Sequence, residues 1–89
     1  MIYKLKDGFI IRELGGNTMA VPVGTQTSEI HGMIALSESG ALLWKALASG
    51  ADIQTLAAVL TDNYEIDSAT ALVDAEKFVI GLKEQGALI

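Results

Sequence analysis

Between residues 9 and 23 the chain reads as two β-like runs, 9–14 and 18–23, rich in isoleucine and valine and broken by Gly15, Gly16 and Asn17. Glycine accepts the positive φ that a tight reversal requires, so this break predicts an antiparallel hairpin with a three-residue loop. Pro22 has no N–H to give to a ladder and belongs near an edge or a strand end. A polar stretch from Gly24 to Gly32 follows. Then comes a short apolar run, Met33, Ile34, Ala35 and Leu36, which predicts a third strand. Residues 3–5 either extend the first strand or pair weakly.

After Leu36 the period changes. Ser37 has the hydroxyl of a helix N-cap and Glu38 suits the positive end of the helix dipole. The first helix then runs to about Ser49 and stops at Gly50. Asp52 caps a second helix, in which Ile53, Leu56, Ala57, Leu60 and Tyr64 recur at helical spacing. Asp67 caps a third, which continues to Gln85 and ends at Gly86, a residue suited to the position after a helix. Residues 87–89 fold back onto the body. The expectation is one α+β domain over residues 1–89, with strands in 1–36 and helices in 37–89. Its three-stranded antiparallel sheet followed by three helices is winged-helix-like, although here the hairpin precedes the helices.

Composition changes this picture little but excludes much. The chain has 89 residues, 51% of them hydrophobic, no cysteine and a net charge of −5. That apolar content is far from the disordered regime. No apolar run approaches the roughly 20 residues of a membrane-spanning helix, and charged residues interrupt the N-terminus before any signal-like core forms. A soluble, cytoplasmic protein is expected. Area scaling gives roughly 63% of the unfolded surface buried, enough for a domain of this size to fold with little reserve.

Catalysis is a poor fit. There is no cysteine nucleophile, and the single histidine, His31, lies in the polar loop and reads as an ordinary loop residue rather than a ligand or base. Asp62 with Glu65, and Asp74 with Glu76, read as solvated helix surface. No spacing points to a metal or other cofactor, so none is expected. Nucleic acid is disfavoured by charge. Between Lys45 and Lys77 there is no Lys or Arg, whereas Asp52, Asp62, Glu65, Asp67, Asp74 and Glu76 all lie there. That stretch includes the start of a would-be recognition helix, which would repel phosphates.

The third helix carries the stronger signal. At helical spacing Ala71, Ala75, Phe78 and Leu82 share a core face, joined in the core by Trp44. Leu72 and Val79 flank that face, and Val73 and Ile80 fall nearly opposite it. Such an arc is either ordinary exposure of a small domain or an apolar surface for docking or self-association. The third strand adds an edge whose unpaired N–H and C=O groups can accept a foreign peptide strand.

The run Leu36-Ser37-Glu38-Ser39-Gly40 leading to Trp44 and Leu47 resembles the PqqD family of peptide-binding proteins. So do Leu56 to Leu60 with Tyr64, and Asp74 to Phe78 with Leu82 and Gly86. These are the small proteins of pyrroloquinoline quinone biosynthesis and the related recognition domains of other modified-peptide pathways. Ser37 stands where the family commonly has Asn, and either caps a helix. The resemblance implies a non-catalytic partner protein. It would bind the leader segment of a ribosomally made precursor peptide and present it to a modifying enzyme, often a radical S-adenosylmethionine enzyme. The leader would join the third strand at Met33, Ile34, Ala35 and Leu36, facing some of Leu72, Val73, Glu76, Val79, Ile80 and Lys83 on the third helix. A homo-oligomeric interaction module, with a possible homodimer, and a winged-helix regulator are the alternatives.

Overall fold

In the computed structural model, which describes residues 1–22 and 34–89, the two β-like runs form β1 (Phe9–Leu14) and β2 (Asn17–Pro22). A third strand, β3 (Ile34–Leu36), completes an antiparallel sheet of order β1-β2-β3. Helices α1 (Glu38–Ala48), α2 (Ile53–Asn63) and α3 (Ser68–Glu84) follow. This is the expected α+β order. Met33, His31 and the loop from Gly24 to Gly32 lie outside the described residues, as does Val23.

The hairpin loop is shorter than expected. Leu14 pairs with Asn17, so only Gly15 and Gly16 turn the chain, at φ +58° and +83°. Positive φ at both central residues is what a type I′ turn requires, and two glycines meet it without steric cost. Asn17 is thereby released into β2.

The turn also sets which backbone groups face where. A two-residue turn closes on a hydrogen-bonded pair, so Leu14–Asn17, Arg12–Met19 and Ile10–Val21 bond to each other across β1 and β2. Alternation then directs Thr18 and Ala20 of β2 toward β3, onto Leu36 and Ile34. Pro22, at the end of β2 opposite Phe9, falls where its missing N–H would point away from β1. Ala35 faces Met19 in a pair without hydrogen bonds, so its own N–H and C=O point away from the sheet.

All three helices start on the caps that the sequence predicts. The Ser37 hydroxyl accepts from the Gly40 N–H at 3.0 Å, and the Asp52 and Asp67 carboxylates accept from the N–H groups of Thr55 and Thr70, each at 2.7 Å. At the far end of α3, Gly86 at φ +75° forms a Schellman motif: its N–H bonds to the Lys83 carbonyl, and Ala87 N–H to that of Leu82.

These caps make the fold acid-sensitive. Hydrogen bonds from the Thr55 backbone hold Asp52 below the ordinary carboxylate value, and bonds from Thr70, side chain and backbone, do the same for Asp67. A lowered native pKa means that this stabilisation is present above the ordinary carboxylate range and is lost as pH falls through the native value. Asp67→Asn keeps a capping oxygen but not the charge. It is expected to flatten the decline of Tm with falling pH, measured by circular dichroism from pH 6 to pH 2.

The core lies between the helices and one end of the sheet. On the inner face, Ile11, Ala20 and Ile34 stand in one row across the strands. Ala20 and Ile34 are buried, but Ile11 is 44% exposed, so the helices cover β3 and β2 and leave β1 overhanging. Phe9 ties β1 back by meeting the Trp44 ring edge to face at 5.2 Å. Leu47 and Leu56 are fully buried at the centre. Residues 3–6 do not extend β1. Tyr3 exchanges backbone hydrogen bonds with Ala51, Lys6 N–H bonds to Ala87, and Ile89 N–H bonds to Lys4, so both chain ends are stitched over the helices. Among the described residues no helix is long and apolar enough to cross a membrane, and no cluster of acidic residues and histidine is placed to hold a metal ion.

Candidate functional site

β3 is an edge strand. Among the described residues nothing pairs with its outer side, and nothing outside the sheet bonds to Ala35. Ile34 and Leu36 point into the core, while Ala35 is exposed and carries a methyl group too small to shield its own backbone. One N–H and one C=O, side by side, therefore point away from the sheet with no partner among the described residues.

Directly beyond Leu36 the chain enters a cleft of about 630 Å³. Ser37, Glu38, Ser39, Gly40 and Leu43 from the start of α1 form one wall. Leu60, Tyr64 and Ile66, around the end of α2, and Asp74, Lys77 and Phe78 of α3 form the rest. Gly40 is what allows these elements to meet. A Cβ there would stand 3.3 Å from the Phe78 ring and 3.2 Å from the capping Ser37 oxygen. The Tyr64 hydroxyl is buried and has no hydrogen-bond partner among the described residues. Desolvation, then the nearby Glu38 carboxylate, raises its pKa above the ordinary phenol value, so it is a neutral donor at pH 7.

The face of α3 differs from the expected one. Val79, placed by the sequence on the exposed flank, is 2% exposed and packs in the core with Ala71, Ala75 and Leu82. Phe78 is only partly buried and lines the cleft instead. Helical spacing brings residues seven and eight positions after Ala71 almost equally close to the core face, and the surface that α3 packs against selects the second. The rest of the arc is exposed as expected: Leu72 by 37%, Val73 by 49% and Ile80 by 53%, with Glu76 and Lys83 among them. The Lys83 ammonium lies 4.9 Å from the centre of the Tyr3 ring, a cation–π contact that ties this part of α3 to the N-terminal segment.

Two surfaces of α3 are thus separate. The cleft wall of Asp74, Lys77 and Phe78 and the arc of Leu72, Val73, Glu76, Ile80 and Lys83 lie roughly 145° apart at about 100° per residue. The residues of the wall are the ones beside the end of β3. Sequence reasoning found β3 and the arc but missed the cleft. Asp74 read as solvated surface and Phe78 as core, and no local signal shows that the Tyr64 hydroxyl lacks a partner.

A family model described as Coenzyme PQQ synthesis protein D (PqqD) matches residues 12–88, which takes in the second half of β1, all of β2 and β3, and the three helices. The chain belongs to the PqqD family. Comparison with curated proteins gives no match. Among solved structures, TbiB1 in complex with the TbiA(beta) leader peptide is similar in fold. The TM-score is 0.74 over 96% of this chain and 93% of that one, at 18% sequence identity. In PqqD-family terms, the edge of β3, the whole cleft and the arc all fall within the matched segment. Phe9, which anchors β1 to α1, falls before it.

Proposed function

We propose that this protein binds the leader segment of a ribosomally made precursor peptide and presents it to the enzyme that modifies that peptide, a radical S-adenosylmethionine enzyme or another of that role. The observation that carries the reading is the outer edge of β3, which no described residue pairs, with Ala35 facing outward beside a cleft that opens where the strand ends. Membership of the PqqD family supports it, as does a similar fold in a protein solved with a leader peptide. The leader adds as a fourth strand along Ile34, Ala35 and Leu36. Main-chain hydrogen bonds to Ala35 give affinity that depends little on sequence, and side chains that reach α3 give specificity.

Of the two surfaces of α3, the wall of Asp74, Lys77 and Phe78 is the one that this strand passes. The exposed arc of Leu72, Val73, Ile80, Glu76 and Lys83 is the second candidate wall. Its role is read from Ile80→Asp, which is expected to leave leader affinity within about twofold, whereas Phe78→Ala lowers it. Val79, buried in the core, is assigned to neither wall in this proposal.

The test is calorimetric titration with a synthetic leader of the precursor peptide encoded beside this protein's gene. The expected Kd is about 1 μM, roughly −8 kcal/mol, as suits a single added strand and one pocket. Absence of binding at about 100 μM would overturn the reading.

A further inference from the structure

We infer that the cleft between α1, α2 and α3 is a recognition pocket for one uncharged side chain of the bound peptide, with an apolar body and a hydrogen-bond acceptor at its tip that the Tyr64 hydroxyl engages. The inference rests on the reading that a peptide adds to β3, and it assigns that peptide a specificity position.

Three features of the cleft lead to it. Leu43, Leu60, Ile66, Phe78 and the bare backbone of Gly40 line it, and about 630 Å³ is ample for a large side chain. Its position continues the β3 edge, because Ser37 to Gly40 follow Leu36 without a break. A strand laid along Ala35 and running past Leu36 crosses the mouth of the cleft. The Tyr64 hydroxyl is the third feature. Among the described residues it is the buried side-chain polar atom that no other group satisfies, and such a group forfeits its hydration for nothing in return. A bound tip that accepts from it removes that deficit.

The charges around the cleft narrow the class. Glu38 and Asp74 supply two carboxylates against the single ammonium of Lys77. An acidic tip would meet repulsion, and its acceptor oxygens would compete with Glu38 for the same neighbourhood. An ammonium or guanidinium would be attracted by the two carboxylates but has no lone pair to accept from the Tyr64 hydroxyl, whereas a neutral amide, phenol or carbonyl oxygen accepts without repulsion.

The experiment compares the protein with its Tyr64→Phe variant, using the same synthetic leader and single-residue variants of it. A hydroxyl with a structural role would lower Tm when removed. Here Tm is expected to stay the same or rise, while affinity for the leader falls about 3- to 10-fold, the worth of one hydrogen bond. One leader variant, in which the tip group is replaced by a hydrocarbon, should bind both proteins equally. Equal binding of the full leader by both proteins, or a lowered Tm in Tyr64→Phe, would overturn the pocket assignment while leaving leader binding intact. If the unsubstituted protein fails to bind the leader, the functional reading falls and the pocket with it.

Discussion

Val79→Asp leaves no cooperatively folding protein at neutral pH. Val79 is 2% exposed and packs among Ala71, Ala75, Leu82 and the residues of α2 that face them. An ionised carboxylate at that point loses its water, while the Lys83 ammonium one turn on is held over the Tyr3 ring. The penalty is several kcal/mol for the charge, added to the lost burial of the valine. A domain of 89 residues has only about 4–13 kcal/mol in total. Thermal unfolding followed by circular dichroism is expected to show no transition. Ile80→Asp, one residue further on, is expected to unfold within a few degrees of the parent, because Ile80 is 53% exposed. A folded Val79→Asp protein would mean that α3 is rotated from the position described.

That contrast marks the boundary of what the amino-acid pattern shows. The caps at Ser37, Asp52 and Asp67 and the stop at Gly86 were legible because each is a bond between residues three to five positions apart. The strand order needed only the hairpin and the short run before Ser37. The rotation of α3 was not legible. Phe78 and Val79 are both apolar and both within reach of the core face, and the choice between them depends on surfaces of α1 and α2 distant in sequence. The cleft escaped for the same reason. Its walls come from residues 37–43, 60–66 and 74–78, and its distinguishing group is a hydroxyl whose lack of a partner is a fact of three dimensions. The three-residue hairpin loop was a smaller miss, of one residue, settled by Asn17 pairing with Leu14.

Ala35→Pro abolishes most leader binding without unfolding the protein. Proline normally destroys a strand by removing a ladder hydrogen bond. At Ala35 the ladder loses nothing, because the N–H there points outward and only Ile34 and Leu36 bond to β2. The residue before it, Ile34, is already extended, as a pre-proline residue prefers. The side chain position is exposed, so the ring meets solvent. What the substitution removes is the donor that an added strand needs, and the ring Cδ occupies the place of the incoming carbonyl. Affinity is expected to fall tenfold or more, beyond the loss of a single hydrogen bond worth about 0.5–1.5 kcal/mol, with Tm little changed. Ala35→Val is the companion. It keeps the N–H and the β-strand preference, so it is expected to bind the leader.

Together these variants separate the face of α3 from the edge of β3, and the second is the point on which the functional account turns. Amide hydrogen exchange, read residue by residue by NMR in the free protein and with the synthetic leader at saturation, tests it most directly. In the free protein the Ala35 amide should exchange rapidly, while those of Ile34 and Leu36 are already protected by β2. With the leader bound, exchange at Ala35 is expected to slow by about tenfold or more, and the outward-facing amides of Ile11 and Glu13 on β1 should not change. Protection that appears on β1, or leader binding that leaves Ala35 exchanging freely, would contradict strand addition at β3.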